Sequence, residues 1–222
     1  MVISHQKFLG DKMDLSKTVG NYLDELSTNT PTPGGGNVAA LCGVLASSLG
    51  MMVCNLTIGK KKFVEVEAEL IAMKNKLVGI KEKFRQLAQK DNEAFDKVML
   101  AYKMVKDTEE HQTERSNAIE DATINAAMVP AEVVTTGMEL LPLLETIIQK
   151  GNQNSLSDAG VAVSLTKTAV EGAFLNIAIN CSSLSNQTFA NEILIREEMK
   201  YEEIKERTAQ IISSILKKMK PV

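Results

Sequence analysis

A periodic stripe of apolar residues between Val66 and Val98 constrains the fold of this chain more than any other feature. The stripe advances by four and three residues in alternation, which is the spacing of one face of an amphipathic helix. Its ten positions are Val66, Leu70, Met73, Leu77, Ile80, Phe84, Leu87, Asp91, Ala94 and Val98. The pattern predicts one long helix, from about Glu65 to Val105, with this stripe as its buried seam.

Asp91 is the one charged residue of that seam. A carboxylate at an apolar position costs several kcal/mol unless it is paired, neutralised or facing a wet cavity. Asp91 is therefore a candidate functional residue. The alternative is that the stripe drifts around the helix and leaves Asp91 at an exposed flank.

The composition favours a helical domain in a reducing compartment. Of 222 residues, 44% are hydrophobic, 24% are charged and 4% are aromatic, which suits helices better than sheets. A net charge of −3 gives no reason to expect a nucleic acid or an anionic membrane as partner. The three cysteines are odd in number and badly spaced for a disulfide, so we expect a cytoplasmic protein.

Two segments bear on targeting. The first fourteen residues carry charges and have no apolar core, so we expect no signal peptide. The stretch from Val38 to Ile58 is uncharged and long enough to span a bilayer. Serine, asparagine and threonine interrupt it, which favours a helix buried at the centre of a soluble bundle over a membrane span.

Capping and turn residues divide the chain into helices without strand alternation. We expect helices at about 14–26, 37–58, 65–105, 114–130, 138–150, 157–184 and 192–218. Asp14 is the expected cap of the first helix, and Pro130 is expected to break the fourth. The sequence predicts one all-α domain over residues 1–222, an antiparallel bundle of long helices.

Three glycines, Gly34, Gly35 and Gly36, precede the second helix at Asn37. Glycines let a backbone approach a ligand, and the free N–H groups of a helix start favour an anion. An ordinary turn is the alternative. Gly36 lies about 22 residues before the turn near Gly59, ~33 Å along a helix, and Asp91 lies about 26 residues after it, ~39 Å. A hairpin would thus bring Asp91 back beside the glycines and form a cleft.

A second group of polar residues has weaker signals. Lys60 and Lys61 belong to a run of three lysines at the other end of that hairpin. They are either solvated charges at a helix end or ligands supplied to a second subunit of an antiparallel dimer. Asn152, Asn154 and Asp158 lie in and after a polar loop, where Asp158 suits either helix capping or substrate binding. Glu171, Asn176 and Asn180 mark either a polar cleft wall or an exposed side.

Other chemistries have little support. The two histidines lie near the terminus and in a polar turn, so a catalytic triad is not indicated. No cysteine or histidine pair has metal-ligand spacing, and we expect no metal. No dinucleotide-binding fingerprint follows a strand.

Several motifs together resemble the formiminotransferase-cyclodeaminase C-terminal family. They are PTPGGGNVAA at 31–40, MVCNLT at 52–57, KKK at 60–62, DNEAF at 91–95 and GNQNSLSDAGVA at 151–162. The resemblance runs in order from about Ser16 to the last helix. Asn37 stands where a serine is common in that family, and asparagine also caps helices.

This resemblance implies an all-helical homodimer acting on a tetrahydrofolate derivative, with no cofactor beyond that substrate. It implies either cyclisation of 5-formiminotetrahydrofolate with loss of ammonia, our first expectation, or hydrolysis of the 5,10-methenyl form. Asp91 would then be the acid–base catalyst. The glycine loop and the asparagines would position the folate, Asp158 its pterin, and the helix start or the lysines its anionic tail. A helical scaffold protein is the alternative of another class.

Overall fold

A computed structural model describes residues 18–220, and every regular element within them is helical. The six α-helices are α1 (Val19–Leu26), α2 (Gly35–Asn55), α3 (Glu67–Tyr102), α4 (Glu109–Lys150), α5 (Leu156–Ser182) and α6 (Gln187–Met219). Short 3₁₀ turns at Lys61–Val66 and Gln153–Ser155 precede α3 and α5. The expected all-α fold is confirmed. The expected Asp14 cap lies outside the described residues, and Thr18 caps α1.

Helices α2 to α5 form an antiparallel four-helix bundle. Helix α2 packs against α3 and α5, α4 packs against the same two helices from the opposite side, and α6 lies outside on α5 and α4. The core between them is aliphatic apart from one aromatic ring, that of Phe84. Seam residues Leu70, Leu77 and Leu87 are also fully enclosed, which confirms the periodic stripe.

The α2–α3 contact is close because glycines of α2 face the seam of α3. A Cβ atom at Gly43 would lie 2.5 Å from the Phe84 ring, and one at Gly50 would lie 3.1 Å from Leu77. Gly36 meets Asp91 in the same way. The three glycines are spaced seven residues apart along α2, and their partners are spaced seven residues apart in the opposite direction along α3. The pairs are Gly36 with Asp91, Gly43 with Phe84 and Gly50 with Leu77. This register confirms the hairpin expected from the sequence.

Helix α4 corrects the expectation of a break at Pro130. It runs unbroken from Glu109 to Lys150 and contains Pro130 and Pro142. Proline removes the N–H that would bond the carbonyl four residues earlier. At Pro130 that carbonyl belongs to Ala126, and it accepts a hydrogen bond of 2.8 Å from Asn180 Nδ2 of α5. Asn180 therefore satisfies a free carbonyl of α4 and does not form a cleft wall.

Helix α1 is short and only partly packed. The spacing of its apolar residues predicts that Val19, Tyr22, Leu23 and Leu26 face inward. For Val19 and Leu23, which are 76% and 54% exposed, this prediction is wrong in one chain alone. Tyr22 and Leu26 are half-buried. One side of α1 therefore contacts the bundle, and Tyr22 is the residue through which it reaches α2.

Helices α2 and α4 are long and apolar enough to cross a membrane by length and composition. Half of the most apolar window of α2 and 61% of that of α4 are buried against other helices. Core helices of soluble bundles have the same character. Packing therefore accounts for much of their hydrophobicity, as expected from the sequence.

Gly43→Ala should lower the free energy of unfolding by about 1–3 kcal/mol, because the added methyl group collides with the Phe84 ring. Gly79→Ala is the matched control, since a Cβ there meets no atom within 4 Å. It should raise stability by about 0.5–1 kcal/mol through helix propensity. Urea unfolding measures both. A Gly43→Ala chain as stable as the unmodified one would contradict the close packing of α2 and α3.

Candidate functional site

Asp91 lies on α3 directly against the first turn of α2. Both carboxylate oxygens and Cγ crowd the position that a Cβ of Gly36 would occupy, with Cγ 2.6 Å from it. The backbone N–H of Asn37 donates a hydrogen bond to the carboxylate. Any side chain at position 36 would displace this carboxylate. The predicted juxtaposition of Asp91 and the glycines is therefore present.

Burial raises the pKa of Asp91 from 3.8 to about 6. The hydrogen bond from the Asn37 N–H favours the carboxylate and partly opposes this increase. A carboxyl group with this pKa is mostly ionised at neutral pH and is readily reprotonated. It can both remove and return a proton during a reaction.

Asn37 is the fully buried centre of a polar network around Asp91. Its Nδ2 donates to the Ala88 carbonyl at 2.8 Å and, more weakly, to Asn92 Oδ1 at 3.4 Å. Its Oδ1 accepts a hydrogen bond of 2.9 Å from the Tyr22 hydroxyl. These bonds use both ends of the amide and fix the first turn of α2 relative to α3. The Asn37 N–H is thereby held in position for Asp91.

Tyr22 is a site residue that the sequence reasoning did not identify. Burial raises the pKa of its phenol, and the nearby Cys42 and Asp91 add to this effect through negative charge. Burial also raises the pKa of the Cys42 thiol. Tyr22 therefore remains protonated and continues to donate to Asn37. The signal in the sequence was its inward position on α1, which does not reveal its partner.

The glycine loop at the start of α2 also has a neighbour on α5. Gly35 is exposed and faces Asn176 of α5, whose Nδ2 would be 3.5 Å from a Cβ at Gly35. Gly34 is the N-cap of α2 and offers no side-chain cap. Because Asp91 accepts the Asn37 N–H, this part of the helix start already has an anion.

The other predicted site residues lie at the opposite end of α2. The Asn152 N–H donates to Thr57 Oγ1 at 2.9 Å, which places the polar loop against the C-terminal end of that helix. Lys60, Lys61 and Asn154 are exposed there. Asp158 is half-buried in the first turn of α5. The 21 residues of α2 span ~30 Å, so one chain does not bring these residues to Asp91.

A groove of about 710 Å³ lies elsewhere, between α5 and α6. Its lining consists of aliphatic, hydroxyl and ammonium side chains, among them Lys167, Lys205 and Lys217. It shares no residue with the network around Asp91 and contains no carboxylate. Asp91 therefore remains the candidate for acid–base chemistry. Within residues 18–220, no three histidine, cysteine or acidic side chains are grouped as metal ligands.

Asp91→Asn should change how stability depends on pH. The folded pKa of about 6 exceeds the ordinary value of 3.8 for an aspartate, so the folded chain binds this proton more tightly than the unfolded chain. The resulting stabilisation is complete below about pH 3.8 and is lost as the pH rises through about 6. The wild-type advantage in unfolding free energy over Asp91→Asn should therefore decrease from about pH 4 to about pH 7. A constant difference in urea unfolding would contradict the burial of Asp91.

Comparison with known proteins identifies relatives of this chain. The chain is 41% identical over 179 residues to a methenyltetrahydrofolate cyclohydrolase of Methylorubrum extorquens, covering 81% of this chain and 86% of that protein. It is 27% identical to a formimidoyltransferase-cyclodeaminase of Rattus norvegicus, covering 90% of this chain and 37% of that longer protein.

The crystal structure of a formiminotetrahydrofolate cyclodeaminase from Thermotoga maritima has a similar fold. Its TM-score is 0.76 at 31% identity, covering 90% of this chain and 98% of that one. The family described as formiminotransferase-cyclodeaminase matches residues 18–215. The chain described here belongs to the formiminotransferase-cyclodeaminase family.

Proposed function

We propose that this chain is a folate one-carbon enzyme that hydrolyses 5,10-methenyltetrahydrofolate to 10-formyltetrahydrofolate. The observation that carries the chemistry is the Asp91 carboxyl group, held at the start of α2 with a pKa of about 6. The choice of substrate rests on the 41% identity to the Methylorubrum protein along most of both chains.

In this reaction Asp91 acts as general base and then as general acid. Asp91 takes a proton from water as the water oxygen attacks the methenyl carbon between N5 and N10. The C–N5 bond then breaks, N5 receives that proton, and the hydroxyl group of the intermediate loses its own proton to give the formyl group on N10. One water is consumed and one proton is released overall. The Asn37 N–H steadies the carboxylate and limits the rise of its pKa.

Cyclisation of 5-formiminotetrahydrofolate is the second candidate. It is favoured by the 31% identity and TM-score of 0.76 to a structure described as a formiminotetrahydrofolate cyclodeaminase. Here Asp91 would take the proton from N10 as N10 attacks the formimino carbon, and would return it to the departing ammonia. The two reactions share the reacting carbon and need the same carboxyl group.

Neither reaction changes an oxidation state, and a carboxyl group can supply the proton transfers of both, so the proposal includes no cofactor beyond the tetrahydrofolate substrate. It also includes a cytoplasmic location, without nucleic acid or membrane as a partner. The net charge of −3 and the free thiols of Cys42, Cys54 and Cys181 support these expectations.

A homodimer would complete the site, and the outer face of α2 supports one. This helix carries no charged residue, yet Leu45, Met52 and Leu56 are 48%, 36% and 40% exposed. Exposed apolar faces of this kind are typical of subunit contacts. Leu45 lies at the middle of α2. A two-fold axis near it would place the partner's lysine and asparagine cluster next to the Asp91 site of the first subunit.

Asp91→Asn should lower kcat by about 10²–10⁴-fold, because the amide keeps the hydrogen bond from Asn37 but cannot exchange a proton. In the wild type, kcat/KM should fall about tenfold per pH unit below about pH 6. Loss of methenyltetrahydrofolate absorbance reports the first reaction, and ammonia release from the formimino substrate reports the second. A protein that turns over neither folate, and whose melting temperature folates do not raise, would be a helical scaffold instead.

Leu45→Glu should convert the dimer into monomers and abolish activity, because it places a charge at the centre of the apolar face. Met199→Glu on α6 is the matched control, since Met199 is 70% exposed and lies on another helix. It should change neither property. Light scattering after size-exclusion chromatography gives the mass, and the folate assay gives the activity. An active monomeric Leu45→Glu chain would contradict a site shared between subunits.

A further inference from the structure

Arg85, six residues before Asp91 on α3, has an unused donor. Arg85 Nε is enclosed without a hydrogen-bond partner, the one such side-chain atom among the buried and half-buried residues of 18–220. The Arg85 side chain as a whole is 36% exposed, and Nη1 faces Glu82 Oε2 at 3.2 Å. An enclosed donor without an acceptor is unfavourable. An acceptor from outside the chain would satisfy it after a small rotation of the side chain.

Arg85 begins a basic stripe along one flank of α3. Lys81 and Lys74 follow it at steps of four and seven residues, which keeps all three on one side of the helix. Among the ion pairs of residues 18–220, neither lysine has a carboxylate partner within 4.0 Å, and both are half-buried. Lys81 and Lys74 therefore offer positive charge that no carboxylate of the chain pairs with, while Arg85 shares its charge with Glu82.

Contacts at both ends place this stripe beside α2. Asn92, seven residues after Arg85 and on the same side of α3, accepts a hydrogen bond from Asn37 of α2. At the other end, the charge of Lys74 acts on Cys54 of α2. The stripe thus runs beside α2, away from Asp91. It runs toward the end of the bundle where Lys60 and Lys61 lie.

The spacing suits an elongated substrate whose acidic groups are remote from its reacting carbon. Arg85 is six residues from Asp91, ~9 Å along the helix, and Lys81 is ~6 Å further. A tetrahydrofolate has a para-aminobenzoyl group between N10 and its glutamate, and that group bridges a gap of this order. Arginine binds carboxylates through paired N–H donors, whereas lysine acts as a point charge.

We propose that Arg85 binds the first glutamate carboxylate of the folate substrate and that Lys81 and Lys74 bind those of further γ-linked glutamates. This inference rests on the proposed function for the identity of the ligand. It assigns the anionic tail to α3 of the same subunit that supplies Asp91. The exposed lysines at the end of α2 are not required for a substrate with one glutamate.

The test compares tetrahydropteroate, which has no glutamate, with tetrahydrofolate carrying one or three glutamates. Isothermal titration calorimetry gives each Kd without turnover, so a failed activity assay does not affect it. Arg85→Ala should raise the Kd for the monoglutamate about tenfold and leave that for tetrahydropteroate unchanged. Lys74→Ala should weaken binding of the triglutamate alone.

Lys83→Ala is the matched control, because Lys83 pairs with Glu139 on the α4 side of the same helix. It removes the same charge and should change no Kd. Equal Kd values for Arg85→Ala and wild type would overturn the proposal, as would equal losses for tetrahydropteroate and tetrahydrofolate. A change of oligomeric state in Arg85→Ala would assign the free donor to a subunit contact instead. Tight tail-dependent binding without either turnover would overturn the proposed function alone.

Discussion

The contact between the Asp91 carboxylate and the first turn of α2 is the constraint on which the site depends. Gly36 leaves room for the carboxylate, and the Asn37 N–H donates to it. Burial raises the pKa to about 6, while the hydrogen bond keeps the charged form accessible. The same contact joins α2 and α3 at the end of the bundle. The proposed acid–base group and the packing of the bundle thus depend on the same pair of helices.

The fold was predictable where local pattern determined it and was not where a distant residue did. The apolar stripe located α3, and rise per residue placed Asp91 opposite Gly36. The unbroken course of α4 through Pro130 was not predictable, because the carbonyl that proline leaves free is satisfied by Asn180. These two residues are fifty positions apart in sequence. No local rule connects them.

The candidate site also contains residues that a local sequence pattern predicts and residues that it does not. Asp91 and its glycine neighbours could be predicted, because a charge in an apolar stripe and a glycine run are visible in the sequence. Tyr22 and Arg85 could not be predicted. Tyr22 matters because its hydroxyl donates a hydrogen bond to Asn37 on another helix, and Arg85 because its Nε has no hydrogen-bond partner. The resemblance implies that Asn152 and the glycine loop bind the same folate, and within one chain Asn152 lies at the other end of α2. The proposed dimer is the arrangement that would bring the two together.

The alternation of glycines and bulky partners along α2 and α3 also determines where this chain tolerates a change in length. One residue inserted inside either helix rotates everything beyond it by about 100°, so Gly36 and Asp91 would no longer face each other. Residues added between Asn55 and Glu67, where the helices are joined, leave both faces aligned. We therefore expect natural variation in length to concentrate at that connection, remote from the carboxylate whose position the two helices determine.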